Sequence, residues 1–418
     1  MLKTLHVGID VSHNRHSVCL LDDAGTPLGR PRTVANNRPG AAELIAQVQA
    51  VATDYDQVLI GMEATGLYWW HLYRALATAA ELAPVPSRLV VFNPRLIQGF
   101  REAYSAMEKT DPDDAFLIAE RLRFGHLPDY PPPDPRYFSL QRLTRYRFHL
   151  IHALVRAKAH ALSVLFLAAS EYERTEPFAD PFGASSVAVL TPYPSLDALA
   201  AVSLEDLAGF VAHQSRNHFP DPTQPARLLQ QVAADSFRLD DAAVEPIHFV
   251  LTSALAHIQF LTHQLKPLDR RITQELDRFP NTLLSVPGIG PVYAAGLVAE
   301  IGDVTRFPDD DALAKYAGLW WPRHQSGDFE ATDRSLSKAG NAYLRYYLCE
   351  AVTPLRMHNA DYHSFYERKF KETPKHPHKR ACVLTARKLV RLVYALLRTN
   401  QLYAQPTALS PKKQPRQP

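Results

Sequence analysis

The sequence predicts a multidomain protein with an α/β first part and a mainly α-helical second part. Its 418 residues exceed what one small hydrophobic core usually organises. Up to about residue 125, short apolar runs alternate with segments of helical spacing, whereas from residue 137 long stretches carry helical spacing alone. The proline-rich stretch at 128–135 lies between the two patterns and indicates a domain boundary.

The first part has the alternation expected of an α/β domain, which we place at 1–135. Its apolar runs predict strands at 5–10, 17–21, 58–62 and 88–92, and helical spacing predicts helices at 40–52 and 67–80. The turn residues Asp22-Asp23-Ala24-Gly25 predict a hairpin between the first two strands.

The middle part, 136–280, is dominated by two long helical patterns. They cover 137–170 and roughly 244–278, and we expect the two helices to pack side by side as an antiparallel coiled coil. The residues between them, about 171–243, are proline-rich with short helical patterns and predict a small helical insert.

The last part, 281–403, predicts a helix, a tight glycine turn and a second helix within Leu283–Leu297. The backbone N–H groups at such a helix start suit a phosphate, so Gly288 and Gly290 are candidate nucleic-acid contacts, although a simple helix connection explains the glycines equally well. A further amphipathic helix follows Lys338-Ala339-Gly340-Asn341, and the polar tail 404–418 is predicted to be disordered.

The composition is that of a soluble globular protein, with 46% hydrophobic and 21% charged residues. No run of 18 apolar residues and no signal-peptide pattern is present, so we expect a cytoplasmic protein without a membrane partner. Cys19, Cys349 and Cys382 are isolated, which argues against a disulfide framework and a CxxC-type zinc site.

The net charge is only +3, but the basic residues are clustered. Residues 361–418 hold thirteen Lys/Arg against three Asp/Glu, and 135–170 hold six basic residues and no acid. Such surfaces favour a polyanion, although ordinary solvated charge explains them equally well. The basic candidates for nucleic-acid contacts are Arg142, Arg145, Arg156, Lys158, Lys338, Arg345, Arg387 and Lys388.

Four acidic residues stand at element ends. Asp10 closes one predicted strand and Glu63 another, while Asp111 and Asp114 open a helix whose first position suits Pro112. Carboxylates placed in this way can converge on Mg²⁺ (or Mn²⁺), which prefers hard oxygen ligands. Helix capping, with Asp111 as the N-cap, explains the last two acids equally well.

Taken in order, several short motifs resemble the DEDD transposases of the IS110 insertion-sequence family, which includes pilin-gene-inverting and bridge-RNA-guided recombinases. They are Val7-Gly8-Ile9-Asp10, Met62-Glu63-Ala64-Thr65-Gly66, Lys109-Thr110-Asp111-x-x-Asp114-Ala115, Pro287-Gly288-Ile289-Gly290, Ala317-Gly318-Leu319, Ser326-Gly327 and Ser337-Lys338-x-Gly340-Asn341. The resemblance covers most of the chain.

The resemblance implies an N-terminal RNase H-like (RuvC-like) domain, a helical coiled-coil segment and a C-terminal transposase domain with a helix-hairpin-helix-like turn. It implies that Asp10, Glu63, Asp111 and Asp114 bind divalent metal and that Ser326 is the nucleophile, whereas Asp113 lies outside this set. The residues before Ser326 depart from the family pattern, so Ser335 and Ser337 stay alternatives.

The function implied is that of a transposase or site-specific DNA recombinase. It would cut and rejoin donor and target DNA by metal-assisted serine transesterification through a phosphoserine intermediate, guided by a noncoding RNA. Because Asp114 and Ser326 are far apart in sequence, we expect a composite site in a homo-oligomer, a dimer or tetramer.

Three alternatives remain. A RuvC-like nuclease or junction resolvase would hydrolyse DNA without a covalent intermediate, and a non-catalytic protein would only bind nucleic acid. An actin-like ATPase ranks last because no phosphate loop accompanies the opening Gly-Ile-Asp strand. No Walker-type motif is present either.

Overall fold

The computed structural model describes residues 2–404 apart from 105–107, 128–133, 194, 216–218, 323–324, 327–328 and 331–334, with the backbone alone at 325–326 and 329–330. The chain divides into two compact units. The first unit is Met1–Asp134 with Thr305–Pro308, and the second unit is Pro135–Val304 with Asp309–Pro418. The predicted disordered tail falls almost wholly outside the described residues.

The described strands of the first unit form one mixed sheet in the order β3-β2-β1-β4-β5. They are β1 (Thr4–Val11), β2 (Arg15–Leu21), β3 (Arg32–Ala35), β4 (Gln57–Glu63) and β5 (Ser87–Phe92). The pairs β1–β2 and β2–β3 are antiparallel, while β1–β4 and β4–β5 are parallel. The carboxyl ends of β1, β4 and β5 therefore lie at one edge of the sheet.

Helices cover both faces of this sheet. They are α1 (Arg38–Ala52), α2 (Trp69–Ala77), α3 (Pro94–Arg101) and α4 (Asp111–Phe124). Val7 and Ile9 of β1 pack in one core with Leu44 of α1 and Leu72 of α2, whereas α4 packs on the opposite face. Burial on both faces explains why β1 is apolar almost without interruption.

Gly8 of β1 lets α4 approach the sheet closely. A Cβ atom at Gly8 would lie 2.1 Å from the carbonyl oxygen of Ala115 and 2.4 Å from the amide nitrogen of Ala119. The backbone of α4 thus packs directly on β1, and this contact brings the first turn of α4 to the strand end at Asp10.

The predicted strands and helices of the first unit are confirmed, as is the mixed α/β plus α fold class. The first two strands pair as a hairpin, but residues 12–14 join them; the turn predicted at 22–25 follows β2, so that prediction of the connecting residues is wrong. Strand β3 was not predicted; it is a short edge strand whose residues are exposed except for Val34. One buried side chain in four leaves too little apolar periodicity to predict a strand.

The second unit is mainly helical. Its described helices are α5 (Pro135–Ala168), α6 (Tyr172–Thr175), α7 (Ala184–Leu190), α8 (Leu196–Ala200), α9 (Leu204–Gln214), α10 (Thr223–Asp235), α11 (Asp241–Leu276), α12 (Pro291–Ile301), α13 (Asp310–Ala317), α14 (Ala342–Glu350), α15 (Val352–His358), α16 (Ala360–Lys371) and α17 (Pro377–Thr399). Two short strands, β6 (Gln325–Ser326) and β7 (Phe329–Glu330), pair antiparallel.

The two long predicted helices and the helical insert are confirmed. Helices α5 and α11 pack along each other, and α6–α10 bury a core of their own with the ends of both. By length and composition alone α5 is long and apolar enough to cross a membrane. In the structure it packs on α11 and α12 and forms ion pairs with both.

Two predictions for the last part need correction. The helix expected before the glycine turn is only one turn of 3₁₀ helix, Leu283–Ser285, because Pro280 and Pro287 bracket it too closely for an α-helix. The C-terminal part is also not purely helical, since β6 and β7 form a hairpin at the predicted nucleophile.

Candidate active site

Asp10 and Glu63 end neighbouring parallel strands. The register pairs Ile9 with Met62, so the next residue of each strand, Asp10 and Glu63, lies at the same edge of the sheet. Both side chains are half-buried. Glu63 accepts a hydrogen bond of 2.9 Å from the Thr65 hydroxyl, which holds its carboxylate at the strand end.

The start of α4 shows which residue caps the helix and which acids remain available. The N-cap is Thr110, whose hydroxyl accepts from the Asp113 N–H at 3.4 Å and donates to the Asp113 carboxylate at 2.6 Å. The expectation that Asp111 is the N-cap is therefore wrong, because Thr110 already supplies the cap. Asp111 begins the helix and is exposed, so capping engages neither Asp111 nor Asp114.

The pKa of Asp10 reflects two other carboxylates close to it. Burial first, and then the negative charges of Asp111 and Glu63, raise the pKa of Asp10 to about 6. The Val11 N–H and the Arg101 guanidinium offset part of this rise. Like charges that oppose each other's ionisation are relieved by a bound cation.

Asp114 has a cationic partner from a neighbouring helix. Arg101, in the last turn of α3, forms an ion pair with Asp114, and both side chains are about one-fifth exposed. Its guanidinium also contacts the Glu108 carbonyl oxygen at 3.4 Å. Arg101 thus contacts one predicted metal ligand and acts electrostatically on another, Asp10, and no sequence motif marks its position.

The donor atoms of the four predicted ligands suit a hard divalent cation. All four predicted ligands offer carboxylate oxygens, which Mg²⁺ and Mn²⁺ prefer. Among the described residues, no three His, Cys, Asp or Glu side chains stand in the positions of a complete ligand set. The ion pair with Arg101 holds the fourth carboxylate, Asp114, on a protein cation.

The predicted nucleophile belongs to the second unit. Ser326 ends β6, where its backbone pairs with Phe329 of β7. Of the two alternatives, Ser337 accepts a local hydrogen bond of 3.3 Å from the Ala339 N–H, while Ser335 is exposed. The local bond engages the hydroxyl oxygen of Ser337, which makes Ser337 the weaker alternative.

Two predicted nucleic-acid contacts on α5 are engaged inside the second unit. Arg145 makes a two-point ion pair with fully buried Glu300, at 2.7 and 2.8 Å. Arg142 donates to Gln141 at 2.8 Å and stacks on Phe138. Arg145 therefore has a structural role, because a buried carboxylate requires its partner, while Arg142 is engaged by its neighbours on α5.

The predicted nucleic-acid contacts Arg345 and Arg387 are also engaged in contacts within the second unit. Arg345 donates to the carbonyl oxygens of Ala317 and Lys338 at 3.0 and 3.1 Å, near the end of α13. Arg387 pairs with Asp310 and Asp311 at the start of α13. Both arginines therefore fix the ends of α13.

The other basic candidates are more accessible to a ligand. Arg156 and Lys338 are exposed. The ammonium groups of Lys158 and Lys388 lie over aromatic rings, at 5.0 Å from the Phe182 ring and 4.6 Å from the Tyr362 ring, and burial lowers the pKa of Lys388. An ammonium on an aromatic ring keeps donors that a phosphate can accept from.

The glycine turn has a packing explanation and an open helix start. Gly288 has a φ of +96°, and a Cβ atom there would lie 2.5 Å from the Pro354 carbonyl oxygen, so close packing alone requires this glycine. Gly290 caps α12 without any side-chain hydrogen bond. The first N–H groups of α12 therefore lack a side-chain cap, which suits a phosphate.

Comparison with known proteins gives consistent matches along the chain. Residues 7–168 match the IS110 DEDD family model described as "Transposase", and 281–367 match the model described as "Transposase IS116/IS110/IS902 family". The chain is 25% identical to an uncharacterized 44.8 kDa protein of insertion element IS116 of Streptomyces clavuligerus, over 95% of each chain.

Two further relatives align over nearly their whole length. An uncharacterized 42 kDa protein of insertion element IS900 of Mycobacterium paratuberculosis is 25% identical over 96% of this chain and 98% of its own. The pilin gene-inverting protein of Moraxella bovis is 22% identical with the same coverage. The segment that the first family model matches includes Asp10, Glu63, Asp111 and Asp114, and the segment that the second matches includes Ser326.

Proposed function

Because this chain belongs to the IS110 family of transposases, we propose that it cuts and rejoins DNA by serine transesterification at a site that also holds divalent metal. Membership of the family makes it a transposase or recombinase of an insertion sequence, with DNA as a partner. The observation that supports the metal site is that Glu63, at the end of β4, and Asp111, at the start of α4, lie close enough to Asp10 for their charges to raise its pKa.

The ligands proposed for Mg²⁺ or Mn²⁺ are Asp10, Glu63, Asp111 and Asp114, in a domain of RNase H-like fold. The metal would supply Lewis-acid stabilisation of the charge that develops on the scissile phosphate. The residues of the chain present this site: β1 and β4 fix two carboxylates, and Thr110 caps α4 without using Asp111 or Asp114. Arg101 must release Asp114 before all four can act together.

The covalent step is assigned to Ser326. Its hydroxyl oxygen attacks phosphorus, its proton passes to a base, and one deoxyribose oxygen leaves as a free hydroxyl. The phosphoserine ester keeps the bond energy for rejoining, when the hydroxyl of another strand attacks the same phosphorus and the serine leaves. Such an exchange needs no nucleotide triphosphate.

The two parts of this site lie in different units of the chain, and we propose a composite site shared by protomers of a dimer or tetramer. We place the domains at 1–135, 136–280 with the 171–243 insert, and 281–403. A noncoding guide RNA is proposed as a further partner. The accessible candidates for its phosphates are Arg156, Lys158, Lys338 and Lys388, together with the start of α12 at Gly290.

Strand cleavage by matched variants tests this proposal. Wild-type protein with Mg²⁺ and its co-purified RNA is compared with Asp10→Ala and Ser326→Ala on DNA carrying the element's ends, and Ser335→Ala is the control. We expect both site variants to lose at least about a thousandfold in rate, and the control to match wild type. Unchanged cleavage by Ser326→Ala would show that Ser326 is not the nucleophile, and cleavage without any DNA–protein adduct would identify a hydrolytic nuclease.

The same preparation tests the RNA proposal. Sequencing of RNA that co-purifies with the protein should return one discrete species encoded by the element, and its removal should abolish target-specific cleavage. A random sample of cellular RNA, with cleavage unaffected by its removal, would contradict guidance by RNA.

A further inference from the structure

A cavity lies in the first unit, on the face of the sheet opposite the carboxylates. It has a volume of about 490 Å³ and lies between β2, the start of α1 and α2. His16 of β2 pairs across the sheet with Val11, whose side chain belongs to the core under α1, whereas Gly8 faces α4. The cavity is therefore separate from the proposed metal site.

The most deeply buried polar side chain that lines this cavity is His16; Asn36, Asn37 and His71 line it as well. The His16 side chain is only 1% exposed, and its ring nitrogens have at most one weak contact, with the Asn36 side chain. A buried polar group with so little hydrogen bonding is destabilising. Burial lowers the pKa of His16, although the hydrogen bond with the Asn36 side chain offsets part of this effect, so the ring is neutral at pH 7 and has one donor and one acceptor nitrogen.

The walls and rim of the cavity differ in character. Ile45 of α1 and Leu72 of α2 supply apolar walls, and no acidic residue lines the cavity. Arg38, at the first position of α1, is exposed at the rim, and the Asn37 side chain caps the helix by accepting from the Gly40 N–H at 2.9 Å. A cation at a helix start is a favourable place for a phosphate.

We propose that this cavity, the base pocket, receives the base of one unpaired nucleotide and that Arg38 contacts the phosphate. The apolar walls fit the flat faces of a base, and the donor and acceptor of His16 fit its polar edge. A simple anion would instead need charged donors at the cavity floor, where the imidazole is neutral. The volume lies within the range of pockets that enclose small ligands.

The nucleotide can come from a bound strand or from solution, and two binding arms distinguish these sources. The first arm measures the affinity of the full-length protein for a single-stranded 12-mer with a central base and for the same strand with an abasic centre. The second arm measures the affinity for nucleoside monophosphates and for inorganic phosphate. Wild type should bind the complete strand at least about tenfold more tightly than the abasic strand.

Matched tryptophan variants locate the effect. Ala42 lines the cavity but is exposed, so Ala42→Trp should block the base pocket without disturbing the core, and Ala46→Trp, one turn along α1, is the control. His16→Phe keeps the ring and removes both nitrogens. Ala42→Trp and His16→Phe should each lose the tenfold preference, while Ala46→Trp retains it.

Each outcome bears on the proposal. The proposal is supported if Ala42→Trp removes the preference for a base. If the preference is seen with the single strand, the nucleotide comes from a bound strand; if it is seen only with nucleoside monophosphates, it comes from solution. Equal binding of complete and abasic strands, together with nucleoside monophosphates binding no better than phosphate, would overturn it. Asp10→Ala should keep the preference, so the base pocket and the metal site can fail independently.

Discussion

At the scale of single residues, Asp10 links ionisation to metal binding. Its pKa in the folded protein is about 6 against an ordinary value of 3.8, so between these pH values the folded protein binds a proton more tightly than the unfolded chain. The metal-free protein therefore becomes more stable as the pH falls through 6 and Asp10 takes up a proton. At neutral pH the destabilisation by ionised Asp10 is fully present.

This gives a prediction for Asp10→Asn. Without metal at pH 7.5 the variant should be more stable than wild type, by about 1 kcal/mol once solvent screening is allowed for, and the difference should shrink by pH 5. Thermal melts at both pH values measure it, with Asp54→Asn as an exposed control. Added Mg²⁺ should raise the melting temperature of wild type and leave Asp10→Asn unchanged; the reverse order of stabilities would contradict the clustering of charges.

Arg101 gives the second prediction at this scale. Arg101→Ala removes the cation on Asp114, so Mn²⁺ should bind about tenfold more tightly, a change of about 1.4 kcal/mol. The metal-free variant should melt lower because the carboxylates then repel one another without compensation. Calorimetric titration with Mn²⁺ measures the affinity, and Arg95→Ala on the same helix is the control. Weaker binding by Arg101→Ala would show that Arg101 assists the metal rather than competing with it.

The acids and this arginine differ in how far the sequence predicts them. Asp10 and Glu63 follow buried strands, so a local pattern places them at one sheet edge. Arg101 is brought to Asp114 by the way α3 packs beside α4, and such a contact leaves no local signal. His16 is similar, because an alternating strand pattern does not tell a satisfied core histidine from one that lines a cavity.

At the scale of secondary-structure elements, the contact between β1 and α4 positions the carboxylates. Gly8→Ala would place a methyl group against the α4 backbone, so we expect a loss of about 1–3 kcal/mol and weaker Mn²⁺ binding as Asp111 moves away from Asp10. Gly99→Ala is the matched control, since nothing lies within 4 Å of its Cβ position in α3 and alanine favours a helix. Chemical denaturation of both variants measures the difference, and equal stabilities would contradict the close packing.

Elements with strong periodicity are those that the sequence predicts well. The runs that became β1, β2, β4, β5, α5 and α11 bury enough apolar side chains to show their period. The short β3, β6 and β7 do not, since pairing with a neighbouring strand rather than burial defines them. The role of Arg145 was missed for a related reason: its partner Glu300 is 155 residues away.

At the scale of the whole molecule, the carboxylates and Ser326 belong to separate units of one chain. If the site is shared between protomers, two inactive variants can repair each other. Mixing Asp10→Ala with Ser326→Ala subunits should restore about a quarter of the wild-type sites in a symmetric dimer, because one of the two sites in each mixed dimer is then intact. Strand cleavage after co-expression measures it, and each variant alone is the control. No recovery in a proven mixed oligomer would place both parts of the site in one protomer.

The identity of the covalent intermediate tests the central claim most directly. Wild-type protein, trapped during cleavage in Mg²⁺, is digested, and the peptide carrying the DNA adduct is sequenced by mass spectrometry. We predict a single phosphodiester linkage on Ser326, absent from Asp10→Ala and from reactions with EDTA. An adduct on another residue, or complete cleavage without any adduct, would contradict the account in which the carboxylates of the first unit serve a serine of the second.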